Sequence, residues 1–172
     1  MNISFYHGWL IMRGEANSII LKYKTMRISQ KGLDLIKEFE GCSLKAYKCV
    51  AGKWTIGYGH TKGVNQKTHP ITQQQAEEYL KEDLRYFEDR VNNKSYVPQT
   101  INQNQFDALV SFAFNLGERN LHELCTANYP PGKKTCAHIA EEITLYNKAN
   151  KKFCQGLANR REKEKKLFLG QI

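Results

Sequence analysis

A carboxylic acid that closes an apolar helix and is followed by a β-hairpin is placed for general acid work, and this chain offers one in Glu40. Partial burial beside Phe39 and Trp54 would suit it to that task. Downstream, the hairpin carries Cys49 and Thr55, side chains of types able to act on a water molecule or an electrophilic carbon, and His60 follows as a possible base. An ordinary thiol, with a pKa of about 8.5, is mostly neutral at pH 7, so Cys49 needs a cation such as Lys48 before it can work as an anion. Two chemistries are therefore open. Cys49 and Thr55 could polarise a water beside the Glu40 acid, or Cys49 could attack as a nucleophile with His60 as its base, as in a cysteine peptidase or amidase. The second lacks an evident third residue to orient the base.

The elements that must position these residues are written in the pattern. Ser29 caps a helix with Ile28, Leu33, Ile36 and Phe39 at helical spacing, and Gly41 ends it, which leaves Glu40 on the last turn. The runs 44–48 and 53–60 are β-prone and are separated by Cys49-Val50-Ala51-Gly52, which predicts a hairpin. If the second run is strand throughout, Thr55, Gly57 and Gly59 share one face. So small a face lets a bulky ligand approach the backbone, which makes Gly57 and Gly59 candidates for substrate contact. Thr72 and Gln75 form a capping box that opens a long helix with Ala76, Tyr79, Leu80, Leu84, Phe87 and Val91 inward and charges outward. Asn102 caps a third helix, apolar nearly all round over 106–114 and stopped by Gly117, as expected of a central helix. Helices over 137–146 and 157–169 complete the chain, the last one basic, with Arg160, Arg161, Lys163, Lys165 and Lys166.

With 172 residues, 41% hydrophobic and 25% charged, the chain has the composition of one soluble globular domain, which excludes disorder and a membrane-embedded bundle. That domain covers 26–172. Residues 1–25 form an N-terminal extension with an apolar run over 3–12, broken by His7 and Gly8 and without a preceding basic residue. It reads either as a disordered, dispensable extension upstream of Met26 or as a weak export element. Five cysteines with no CxxC pair predict no structural metal and leave at least one thiol unpaired. Cys125 and Cys136 bracket a turn-rich loop that a disulfide could close, the alternative being reduced thiols. The formal net charge of +9 predicts an anionic partner. Nucleic acid is not expected, because the aromatics recur at core spacing and do not interleave with the basic residues.

The segment 40–61, EGCSLKAYKCVAGKWTIGYGHT, resembles the active-site signature of the phage-type lysozymes, glycoside hydrolase family 24: a Glu, eight residues, an Asp or Cys, five residues, then a Thr. Glu40, Cys49 and Thr55 fill those positions without a gap. The resemblance continues through TIGYGHT, ITQQQAEEYLKEDL, QFDALVSFAFNLG and GLANRREKEKKLFLG in the family's order, over about 27–169.

The resemblance implies an α+β, mainly α, lysozyme-like fold of two lobes. A small lobe with a β-hairpin is joined by a long helix to a helical lobe, and the sugar chain binds between them. It implies an endolysin, an N-acetylmuramidase that cuts the β-1,4 bond between N-acetylmuramic acid and N-acetylglucosamine, with Glu40 as acid, Cys49 and Thr55 on the water and no cofactor. It also implies that His60 is structural, paired with Asp83, and that Asn115 lies at the cleft floor, where its amide either binds an N-acetyl group or peptide stem or caps and packs near Gly117. The partners implied are peptidoglycan and an anionic wall or outer-membrane surface, with a phage holin assisting a monomer made in the host cytoplasm and acting in the periplasm at lysis. Where many members carry aspartate, Cys49 leaves the stereochemical outcome open. A cationic wall- or membrane-binding protein on a degenerate lysozyme scaffold is the non-enzymatic alternative.

Overall fold

Ser29, in extended conformation, accepts a hydrogen bond from Gly32 N through its hydroxyl and starts α1, Gln30–Glu40, which Gly41 ends with a φ of 67°. The hairpin follows as β1, Ser43–Lys48, and β2, Trp54–Gly57, antiparallel with Tyr47 opposite Thr55 and Lys48 opposite Trp54. A computed structural model describes residues 25–172 apart from 94, 96, 99, 129 and 130, so both expectations for the N-terminal extension fall on residues, 1–24, that lie outside the described ones.

The second run does not stay a strand as far as His60. Gly57 takes a φ of 63° and Gly59 one of 104°, and Ile56 and His60 exchange both backbone hydrogen bonds at 2.9 Å across the turn. The expected common face of Thr55, Gly57 and Gly59 is thus broken at Gly57. What approaches the backbone there is protein: a Cβ on Gly57 would stand 3.4 Å from the Cβ of Ala76.

Ala76 belongs to α2, Gln73–Asn92, opened by the full Thr72/Gln75 capping box. Its inward face carries Ala76, Leu80, Leu84 and Val91 as expected, and also Glu88, an acid on the apolar side. Glu88 accepts from Ile28 N at 2.8 Å and from Arg27 Nη1 at 2.6 Å, so the segment entering α1 is fastened to α2. The central helix α3, Gln103–Leu116, packs against α1 and α2 and buries Phe106, Leu109 and Phe112. It is less uniformly apolar than its sequence suggests, since Asp107 is fully buried and accepts from both Ser29 N and Ser29 Oγ. The two helices approach so closely that a Cβ on Gly32 would lie 2.8 Å from the Cβ of Asp107.

After Gly117 the structure departs further from the sequence reading. A short helix, α4, Glu118–Cys125, buries Leu121 and Leu124 and leads into an antiparallel pair, β3, Thr126–Asn128, and β4, Pro131–Lys133. The loop between Cys125 and Cys136 is therefore closed by a backbone ladder and by Lys134 N donating to Cys125 O at 2.8 Å. Both cysteines stand as free thiols, the reduced alternative of the two the sequence left open. The helix expected over 137–146 is shorter: α5, Cys136–Glu142, passes into one 3-10 turn, Ile143–Leu145. There the Thr144 hydroxyl and the Asn147 amide take the carbonyls of Glu141 and Thr144, side-chain bonds that replace the α ladder.

A tight hairpin follows, β5, Lys148–Ala149, and β6, Lys152–Phe153, turning through left-handed Asn150 and Lys151. The last helix, α6, Gln155–Phe168, packs its length on α3. It is not a wholly basic surface helix, because Arg160, Arg161 and Glu164 are buried with Leu167 and Phe168.

Candidate active site

Glu40 stands at the C-terminal end of α1, where its side chain keeps 25% of its exposure. Its Oε1 accepts from Arg160 Nη1 at 2.6 Å, a contact across 120 residues of sequence. The Arg160 guanidinium lies 5.6 Å from the ring of Phe39, so the aromatic expected beside the acid touches the arginine that holds it. The sequence offered Arg160 only as one of the basic residues of the last helix, and its contact with Glu40 is what sequence reasoning missed.

Behind it lies a buried ionic group. Glu164 Oε1 accepts from Ser111 Oγ at 2.7 Å, Arg161 Nη2 at 2.9 Å and Arg160 Nε at 3.2 Å. Arg161 Nε stands 2.8 Å from Glu164 Oε2, an ion-pair distance without hydrogen-bond alignment. Burial pushes the Glu164 carboxyl up from its ordinary range, against the pull of Arg161, Arg160 and Ser111. Burial likewise pulls Arg161 down, against Glu164. Asn115 Oδ1 accepts from Arg161 Nη2 at 3.2 Å, so the amide expected at the cleft floor is tied to this group.

On the hairpin, Cys49 occupies the turn between β1 and β2, its N–H donating to Lys53 O at 2.9 Å. Its thiol is held below the ordinary thiol range, chiefly by the backbone N–H of Lys53, with help from Ala51 N–H, the Thr55 hydroxyl and its own N–H, against a desolvation that opposes them. The anion is thus favoured by backbone dipoles. Lys48, the cation expected to do this, instead places its Nζ 5.7 Å from the Trp54 ring. Thr55 is 4% exposed and sits within reach of Cys49 Sγ and of Lys53 O, the latter at 3.2 Å.

His60 is buried, stacked on Tyr79 with ring centroids 4.5 Å apart, its Nδ1 3.0 Å from Asp83 and its Nε2 3.0 Å from Lys62 O. Both nitrogens are occupied, one of them by Asp83 as the resemblance implies, and none is free for Cys49. Gly57 is buried against α2 and Gly59 is exposed at the turn. Among the described residues no cluster of His, Cys, Asp and Glu could hold a metal ion, and no helix is long and apolar enough to cross a membrane.

The family model described as phage lysozyme matches residues 37–164, a stretch that runs from the end of α1 through the hairpin to the buried group of α6. The chain belongs to the phage lysozyme family. It is 45% identical over 145 residues to an endolysin of Bacillus phage PZA, covering 83% of this chain and 55% of that protein. It is 40% identical to an endolysin of Acyrthosiphon pisum secondary endosymbiont phage 1, covering 83% and 98%. Among solved structures, the endolysin of Escherichia coli O157:H7 phage FAHEc1 superposes with a TM-score of 0.70 at 35% identity, over 86% of this chain and 96% of that one. The chain thus spans about half of the PZA relative and nearly all of the endosymbiont-phage one. The lysozyme-like, mainly helical fold expected from the sequence is the fold found.

Proposed function

We propose that this chain is an endolysin that hydrolyses the β-1,4 bond between N-acetylmuramic acid and N-acetylglucosamine in bacterial peptidoglycan, releasing phage by lysis of the host. The observation that carries this reading is the match to the phage lysozyme family over residues 37–164, which contains Glu40 at the end of α1 with Arg160 Nη1 2.6 Å from its Oε1. Glu40 delivers its proton to the leaving glycosidic oxygen as the bond from the anomeric carbon breaks. Charge then develops on the carboxylate, and the Arg160 guanidinium, already in place, stabilises it without reorganisation. Cys49, its thiolate favoured by the turn backbone, takes a proton from the water that attacks the anomeric carbon, and the lone pairs of Thr55 orient that water. Atoms and charge balance: the products are two sugar ends, a carboxylate at Glu40 and a thiol at Cys49, restored by proton exchange with solvent. No metal or organic cofactor takes part.

This mechanism inverts the anomeric configuration. The enzyme is made in the host cytoplasm, reaches the wall with the help of a holin and works as a monomer on an anionic surface. The binding-protein alternative would release no product, and the peptidase alternative lacks a free base, since both nitrogens of His60 are taken. Digestion of purified peptidoglycan tests the reading. New reducing ends with inverted configuration at early times support it. Free amino groups would show a peptidase, and no product at all would leave a binding protein.

A further inference from the structure

We propose that Glu164 is a positioning residue for the general acid, fixing the Arg160 guanidinium that in turn fixes Glu40; the inference rests on the reading of Glu40 as the acid. Each nitrogen of Arg160 has one direction. Nε donates to Glu164 Oε1 at 3.2 Å, Nη2 reaches Ser111 O at 3.3 Å and Ser111 Oγ at 3.4 Å, and Nη1 alone points to Glu40 Oε1 at 2.6 Å. Two corners of a planar group are thus held by fully buried residues of α3 and α6, and its third corner is aimed at the acid. Ser111 Oγ also donates to Glu164 Oε1 at 2.7 Å, so the two anchors of Arg160 are fastened to each other.

Charge makes the same point. Arg160 and Arg161 are neighbours, 3% and 0% exposed, and they lie against one buried carboxylate. Glu164 bridges them, and the remaining positive charge faces Glu40. Without that bridge two adjacent guanidiniums repel, and Arg160, the one with an outward partner, is the one able to move. A shift of about 1 Å in a catalytic constellation costs up to ~10²-fold in rate. Glu164 therefore acts on kcat through Arg160, and touches no substrate.

Glu164→Gln in the full chain is measured on soluble glycan fragments at a temperature well below its own melting point. The expected result is a fall in kcat of about 10-fold with KM within about 2-fold of the parent. Leu124→Ala, a fully buried α4 residue outside the network, serves as an equally destabilised control and should keep the parental kcat below its melting point. If Glu164→Gln only melts earlier and keeps the parental kcat, or if KM alone rises, the proposal is overturned. Should Glu164→Gln fail to fold, Ser111→Ala removes one anchor without burying an unpaired charge. A kcat fall of about 3-fold in that variant supports the proposal, and an unchanged kcat overturns it. Glu40→Gln separates the two levels: if it stays active, the reading of the acid fails, whereas an inactive Glu40→Gln beside a fully active Glu164→Gln removes this inference alone.

Discussion

Cys49 and Thr55 lie on a short two-stranded hairpin whose turn residue Val50 is fully exposed, and the anion there is favoured by the N–H groups of the turn itself. Arg160, which holds Glu40, lies with Arg161 and Glu164 inside helix packing, and the three are held by one another. The hairpin group is local: all its parts fall within a few residues, and substituting one side chain leaves the backbone dipoles in place. The helical group is assembled from α1, α3 and α6, and removing one charge leaves another buried without its partner, at a cost of about 3–5 kcal/mol. Substitutions on the hairpin should therefore change rate at nearly constant stability, while substitutions in the helical group change both.

The largest effect is expected where the two groups meet the substrate. Glu40→Gln keeps the shape of the acid and cannot deliver a proton, so release of reducing ends should fall by about 10²–10⁴-fold. Near-parental release would remove the acid assignment. On the hairpin, Cys49→Ala should lose rate within the same range, because Thr55 alone cannot both orient and deprotonate water, while Cys49→Asp supplies an anion at neutral pH and should stay active. Melting temperatures of both Cys49 variants should lie within a few degrees of the parent. A covalent glycosyl-enzyme trapped on Cys49 by mass spectrometry, with retained configuration in the product, would replace the water mechanism by a nucleophilic one.

This contrast also explains what could be read in advance. Glu40, Cys49, Thr55 and the His60–Asp83 pair were legible through the family resemblance of 40–83, where a signature can be carried by one segment because its contacts are short-range or run to the next helix. Arg160 could not be read in the same way, since its partner lies 120 residues away and an arginine on a basic helix is ordinarily solvated. A signal was present nonetheless. Leu157, Arg161, Glu164 and Phe168 recur at the four- and three-residue spacing of one helical face, so two charged residues occupy places an amphipathic helix reserves for its core. The end of β2 at Gly57 was hidden for another reason: alternation in sequence cannot distinguish a strand residue from a glycine that turns the chain against α2.

Thiol chemistry gives a smaller effect that separates the two environments. Cys125 is buried in α4, and burial pushes its thiol up to about 12, whereas Cys49 lies below the ordinary range. Iodoacetamide at pH 7 should label Cys49 and stop catalysis, and should leave Cys125 untouched until the protein unfolds. The labelling rate at Cys49 should stay high to a lower pH than for an ordinary thiol. For Cys125 the linkage has the opposite sign: burial favours the protonated form, so its contribution to stability is intact below the ordinary thiol pKa and is lost as pH rises towards 12. Equal labelling of both cysteines in folded protein would contradict the difference.

The smallest expected effect concerns salt, and it separates exposed from buried charge. The segment 41–76 contains five lysines and no Asp or Glu, and Lys45, Lys48 and Lys53 on the hairpin are exposed with no carboxylate partner among the described residues. These lysines attract an anionic wall over a distance set by the Debye length, roughly 10 Å at 0.1 M salt and 3 Å at 1 M. Raising the salt should therefore slow the attack on intact walls by a few-fold, through KM, as association loses its long-range part. The Arg160–Glu40 and Arg160–Glu164 contacts are shielded from counterions by burial, so kcat on short neutral glycan fragments should hardly change over the same range. If kcat on the fragments falls in parallel with the rate on walls, salt is reaching the buried group, and the division between a screened hairpin and a protected ionic interior does not hold.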